Sequence, residues 1–356
     1  MKKLLSLFVC LAMLAALCAC GSTAGTDKTA ETEAPAQTAS ETAAETTAET
    51  TAETGETGET AADGKTFTVG ICQLTQHVAL DAATQGFIDV LTEELGDSVT
   101  IVNQNASGDI PTCATIVNGF VSDGVDLILA NATPALQAAA AATDDIPILG
   151  TAVTEYGVAL DLTDFDGTVG GNISGTSDLA PLDQQAAMIT ELFPEAKTAG
   201  ILYCSAEANS VYQAEVVKAA LEQAGLTVNI YTFADSNDVS SVTAVACDES
   251  DVIYIPTDNT AASCAEAINN VAEPAGVPIV AGEEGICTGC GVATLSIDYY
   301  ELGRTTGAMA VRILRDGEDI STMPIEYFPD PVKEYNAAIC ESLGVTVPDD
   351  YVAIGE

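Results

Sequence analysis

Asp126-Leu-Ile-Leu-Ala-Asn-Ala-Thr-Pro134 is a short apolar run that stops at a polar turn. A helix-like stretch from Pro134 to Thr143 follows, and then a second apolar run, Ile146-Pro-Ile-Leu149. Apolar runs of this length, bounded by turn residues, read as buried strands. The same order recurs later: Asp251-Val-Ile-Tyr-Ile-Pro-Thr-Asp-Asn-Thr260, a helix, then Val277-Pro-Ile-Val280. Two similar lobes follow from that echo. Working outward, Thr66-Phe-Thr-Val-Gly-Ile-Cys72 is another strand, and Leu80, Ala83, Phe87, Val90, Leu91 and Leu95 give a helix over Ala79 to Leu95. Val99 to Val102, Pro147 to Val153, Ala199 to Tyr203, Leu226 to Phe233 and Val292 to Leu295 complete the strands, with a further helix from Thr112 to Asp123. Strands alternating with amphipathic helices predict an α/β fold of two Rossmann-like lobes, with parallel sheets covered on both faces. In such sheets ligands sit beyond the carboxyl ends of the strands, near free helix N-termini. Two such edges opposed across a hinge make a cleft that closes on a small molecule.

Charge narrows what that molecule is. The 356 residues include 53 Asp and Glu against 10 Lys and Arg. Such a field disfavours nucleic acid, anionic head groups and polyanionic substrates. The arginines, Arg304, Arg312 and Arg315, share one late segment, so a phosphate ligand would lack its bidentate partner elsewhere. Neutral, zwitterionic or cationic ligands fit. No Gly-x-Ser-x-Gly elbow, phosphate-binding Gly-Lys-Ser/Thr loop or dinucleotide fingerprint is present. His77 is the one histidine, which leaves little for metal ligation or general-base work. The expectation is a binding protein without cofactor, metal or catalytic residues. The competing enzyme reading is a thiol oxidoreductase built on Cys287-Thr-Gly-Cys290. That motif reads as part of a Gly-rich turn ahead of a strand, whereas a thioredoxin-like centre places it at the start of a helix. The other cysteines lie in apolar surroundings and read as small buried hydrophobes.

The N-terminus addresses the chain. Lys2 and Lys3 precede an apolar run from Leu4 to Ala19, the order of a secretory signal. Leu17-Cys18-Ala19-Cys20 resembles the lipobox of bacterial lipoproteins, which implies lipidation at Cys20 and residence on the extracytoplasmic face of the cell membrane. From Gly21 to Gly64 no apolar side chain larger than alanine occurs apart from Pro35, and Glu41, Glu45, Glu49 and Glu53 recur at like-charged spacing. That composition cannot offset its ordering entropy and reads as a solvated acidic spacer. Residues 65–356 suffice for two domains of about 150 residues each.

Gln76-His-Val-Ala-Leu-Asp81, Ala130-Asn-Ala-Thr-Pro134, Ser205-Ala-Glu-Ala-Asn-Ser210, Pro256-Thr-Asp-Asn-Thr260 and Ile297-Asp-Tyr-Tyr-Glu-Leu-Gly303, in that order, carry a family resemblance. The chain resembles the ABC-transporter substrate-binding lipoproteins of the tryptophan/tyrosine type, with the two-lobed fold of type I periplasmic binding proteins. The resemblance implies that these blocks line an interlobe cleft for an amino-acid-like, aromatic ligand. It also implies ABC permease and ATPase partners, a membrane held by the N-terminal lipid, and a monomer. Val78 stands where the first block commonly has proline, and Gly285 to Gly291 is unusually rich in glycine and cysteine. The layout expected is a signal peptide at 1–19 and the linker at 20–64. An N-terminal lobe at 65–175 takes back roughly 298–322, and a C-terminal lobe at 176–297 is followed by 323–356 as hinge and tail. A tethered sensor using the same cleft is the remaining alternative.

Chemistry assigns roles within those blocks. An amino acid needs an acceptor for its ammonium and donors for its carboxylate. Asp258 with Asn259 is the expected ammonium site, or else Asp258 caps the following helix. Thr133, Thr151, Thr154, Ser177 and Ser210 offer hydroxyls for the carboxylate, or serve as turn caps. His77 either covers the ligand or stands as a surface loop histidine. Tyr299, or its neighbour Tyr300, stacks on the ligand or fills the core. Asp81, Asp178, Glu207, Asn209, Thr257, Glu283 and Asp298 complete the candidate lining. Arg304 is expected to pair with a neighbouring acid.

Overall fold

The structure, a computed structural model, describes residues 65–328 and 330–355. The signal-like run, Cys20 and the acidic repeats lie outside the described residues. The chain runs β1 (Phe67–Gln73), α1 (Val78–Leu95), β2 (Val99–Asn105), α2 (Ile110–Asp123), β3 (Leu127–Asn131), α3 (Thr133–Ala142), β4 (Ile148–Val153), α4 (Tyr156–Ala159) and β5 (Ile173–Ser177). It then crosses to α5 (Leu182–Leu192), β6 (Thr198–Cys204), α6 (Ala208–Gln223), β7 (Thr227–Phe233), α7 (Val239–Glu249), β8 (Val252–Ile255), α8 (Asn259–Ser263), α9 (Ala265–Ala275), β9 (Ile279–Ala281), α10 (Glu284–Cys290) and β10 (Ala293–Ser296). It returns as α11 (Tyr299–Leu314) and β11 (Glu326–Tyr327), and crosses again to β12 (Val332–Tyr335), α12 (Ala337–Leu343) and β13 (Val352–Ala353).

Strand pairing divides these elements into two sheets. The first has the order β11-β5-β4-β3-β1-β2, and the second β13-β12-β10-β9-β8-β6-β7. Pairing is parallel apart from β12, which runs against β10. Burial explains the apolar runs. Leu127, Ile128 and Leu129 of β3, and Val252 to Ile255 of β8, lie at the sheet centres with no exposure, as strands covered on both faces must. The edge strand β2 is largely exposed. Local signals bound the helices: Asp109 accepts a hydrogen bond from Thr112 N at the start of α2, and Gly124 closes it in the left-handed conformation.

The lobes are sewn by three crossings: residues 178–181 after β5, residues 297–298 after β10, and the step from β11 to β12. After the second crossing, α11 packs back along α1 in the first lobe. The approach is close at Gly303, where a Cβ would stand 2.0 Å from the Ala83 carbonyl oxygen. β11, in the stretch read from sequence as hinge and tail, pairs with β5 in the first sheet. Two further differences from the sequence reading stand out. β5, Ile-Ser-Gly-Thr-Ser, has no apolar run to announce it, and Cys287-Thr-Gly-Cys290 lies in the helix α10 rather than in a turn.

Candidate ligand-binding cleft

Parallel strands bring the turns after β1, β3 and β4 to one edge of the first lobe, and those after β6, β8 and β9 to one edge of the second. His77, in the β1–α1 turn, hydrogen-bonds across this gap: its Nε2 lies 3.2 Å from Asn259 Oδ1. The expected edges therefore face each other. The His77 ring is held neutral, because burial lowers its pKa more than Asn259, Glu207 and Asp81 raise it.

On the second lobe the turn after β8 is saturated from within. Asp258 caps α8: Oδ1 accepts from Ala261 N at 2.7 Å and Oδ2 from Cys204 N at 2.7 Å. Glu207 braces the same turn. Its Oε1 accepts from Thr260 N and Oγ1, and its Oε2 from Asn259 N and Nδ2. Burial, with repulsion from Glu207, pushes Asp258 well above the usual carboxylate range. Asn209 and Gln213 donate to the Thr257 carbonyl oxygen at 3.0 Å each, and buried Ser210 accepts from Asn209. Of the two roles expected for Asp258, helix capping is the one its contacts fill.

The first lobe presents the opposite polarity. No side chain caps α1 or α3, and Ala132 ahead of α3 is held at φ 95°. Their first N–H groups, except at Pro134, which has none, and the Thr133 hydroxyl are donors suited to an anion. Asp81 accepts from Gln73 Nε2 at 2.6 Å. Thr151 lies deeper, in a hydroxyl cluster with Thr176 and Thr306 that joins β4, β5 and α11. Ser177 donates to the Thr154 carbonyl oxygen at 2.8 Å. Thr151 and Ser177 thus act within the lobe.

At the hinge, Asp178 and Tyr299 meet, one in the first crossing and one just after the second. Tyr299 donates to Asp178 Oδ2 at 3.0 Å. Burial raises Asp178 to about 6, although the Thr154 and Tyr299 hydroxyls partly oppose it. Glu283 caps α10 through Gly285 N and Ile286 N, and burial raises it to about 7. Asp298 caps α11 through Glu301 N. Glu283, Asp298 and Tyr299 share the wall of a cavity of about 530 Å³ with Val78, Ser296 and Phe328. Buried polar atoms without a partner in this region include His77 Nδ1, Asp178 Oδ1 and Asn209 Oδ1, with Asn131 Oδ1 at the end of β3.

Other candidates fall elsewhere. Tyr300 donates to Asp89 at 2.8 Å, and Arg304 pairs with Glu93 at 3.0 Å. The thiols of Cys287 and Cys290 are buried, and burial raises both, the reverse of what a reactive thiolate requires. Gln213 and Thr260, which hold the second-lobe turn, are contacts the sequence reading missed. Thr260 carried a signal, as the residue after Asp-Asn at a strand end; Gln213 lay inside an ordinary helix. No cluster of His, Cys, Asp or Glu suited to a metal occurs among the described residues.

Two α/β lobes sharing three crossings, with polar strand-end turns opposed across them, define a hinged binding protein of the type I periplasmic-binding fold. The family model of ABC transporter substrate-binding proteins matches residues 68–354. The chain belongs to that family. A tyrosine-binding protein of Clostridioides difficile is 37% identical over 264 residues, covering 73% of this chain and 76% of the relative. A Streptococcus pneumoniae structure in complex with L-Trp has 35% identity and a TM-score of 0.76, covering 80% of this chain and 97% of its own. A ligand-free, open substrate-binding protein of Clostridium difficile, 36% identical, gives only 0.62 over 81% of this chain and 99% of its own. At near-equal identity, the lobes described here agree better with the ligand-bound relative than with the open one.

Proposed function

We propose that this chain captures a free aromatic amino acid between its lobes and delivers it, chemically unchanged, to an ABC permease and its ATPase. The observation that carries this reading is the trio of unpartnered buried atoms, His77 Nδ1, Asp178 Oδ1 and Asn209 Oδ1. Leaving such groups unpaired costs about 1–3 kcal/mol each, and a polar ligand in the closed cleft supplies their partners. Donors at the α1 and α3 N-termini suit the carboxylate, and the neutral His77 ring with Tyr299 suits an aromatic side chain. The L-Trp held by one relative and the tyrosine in another's name support the ligand class.

A thermal-shift screen of amino acids, nucleosides and sugars tests this. Tyrosine or tryptophan at about 100 times its dissociation constant should add roughly 2.7 kcal/mol of stability; a response to sugars alone refutes the ligand class. We further propose that the monomer is anchored by lipid at Cys20 to the extracytoplasmic membrane face, after loss of residues 1–19, with 20–64 as spacer. The sequence Leu17-Cys-Ala-Cys20 supports this. Cys20→Ser should move the protein from the membrane fraction to the medium; retention in the membrane refutes the anchor.

A further inference from the structure

We propose that Asp178 recognises the ligand's α-ammonium group and thereby makes the cleft selective for amino acids over their deaminated counterparts. The inference rests on the amino-acid reading above and assigns the acid that reads the amine. Four carboxylates are buried around the cleft: Asp178, Glu207, Asp258 and Glu283. Three are occupied. Glu207 accepts from Asn259 and Thr260, Asp258 from Ala261 and Cys204, and Glu283 from Gly285 and Ile286. Asp178 alone of the four keeps an oxygen, Oδ1, buried and without a partner.

The surroundings of Asp178 hold no counter-charge. None of the ion pairs among the described residues includes it. The groups that face it are the Thr154 and Tyr299 hydroxyls, the Tyr156 phenol and the Glu283 carboxylate. A buried carboxylate with an open acceptor position and acidic neighbours is short of one cationic donor. A primary ammonium supplies both the charge and the hydrogen bond. An analogue without the amine leaves the oxygen unpaired, and sites of this kind reject analogues that lack the matching group. Asp178 also lies in the first crossing and accepts from Tyr299 just past the second. An ammonium there joins the ligand to both crossings at the hinge.

The chain contains no tryptophan, so an indole ligand is followed by its own fluorescence without background from the protein's indoles. The wild type should prefer L-tryptophan to indole-3-propanoate, which differs by the amine, on the order of 100-fold. Asp178→Asn, checked for folding by circular dichroism, should shrink that preference to a few-fold. An undiminished preference in the variant overturns the assignment and leaves the amino-acid reading standing. If the wild type binds neither tryptophan nor tyrosine, the amino-acid reading falls and takes the assignment with it. Should the variant fail to fold, the wild type decides alone: the preference should narrow as pH falls from 7.5 to 5 through the Asp178 range of about 6. A pH-independent preference refutes the role.

Discussion

The turn after β3 and the turn after β8 occupy equivalent places in the two lobes, yet they handle their helix ends oppositely. After β8, Asp258 caps α8 and Glu207 takes four further donors, so the turn is complete without a ligand. After β3, no side chain caps α3, and Ala132 is held at φ 95°, where residues with a Cβ are rare. The pair teaches that similar strand–turn–helix units need not contribute similar chemistry. One lobe presents a self-satisfied wall, and the other leaves a helix end without a side-chain cap.

The largest effect should come from breaking the satisfied turn. Glu207→Ala orphans the Asn259 and Thr260 groups and should destabilise the protein by about 3 kcal/mol in urea denaturation. A loss below about 1 kcal/mol would show that the brace is dispensable. Next, pH probes the buried acids. Asp178 is raised to about 6, Glu283 to about 7, and Asp258 is also raised. The native state therefore binds more protons than the unfolded chain between about pH 4 and 7, and stability falls as pH rises through that window. His77, held neutral, acts in the opposite sense but is a single group. The ligand-free melting temperature should drop by roughly 5 °C from pH 5 to pH 8, or about 2 kcal/mol; a rising curve contradicts the burial of these carboxylates. The smallest effect belongs to the first-lobe turn. Ala132→Gly should relieve the positive φ and stabilise the protein by about 1 kcal/mol. Destabilisation by that variant would mean that Ala132 carries no strain.

The sequence made the central strands legible because parallel strands buried on both faces are written as apolar runs. β5 escaped for a physical reason. Its interior is polar, held by the hydroxyls of Thr151, Thr176 and Thr306, and Gly175 at φ 147° lies so near β4 that a Cβ would meet Gly150 O at 2.1 Å. Hydrophobic periodicity cannot report a strand built that way. The site was readable as a set of turns, since strand ends and helix starts are local. Which acid is free was not. The occupancy of Asp258 depends on the N–H of Cys204, a strand away and 54 residues distant in sequence, while the opening at Asp178 depends on Tyr299 taking only one of its oxygens. The family blocks fall at the strand ends that face each other, and three-dimensional accounting of donors separates their members.

The crossings of the hinge also set a schedule for folding. α1 finds its main helical partner only when the chain reaches α11, and the first sheet gains its β11 edge later still. The first lobe to be synthesised is thus complete only after most of the second has been made, and the second closes last with β12 and β13. Long-range closure of this kind slows folding, and it means that neither lobe exists as one uninterrupted piece of sequence. A swap of ligand preference by exchanging whole lobes would have to splice several segments at once, whereas changing single side chains in the strand-end turns leaves every crossing intact.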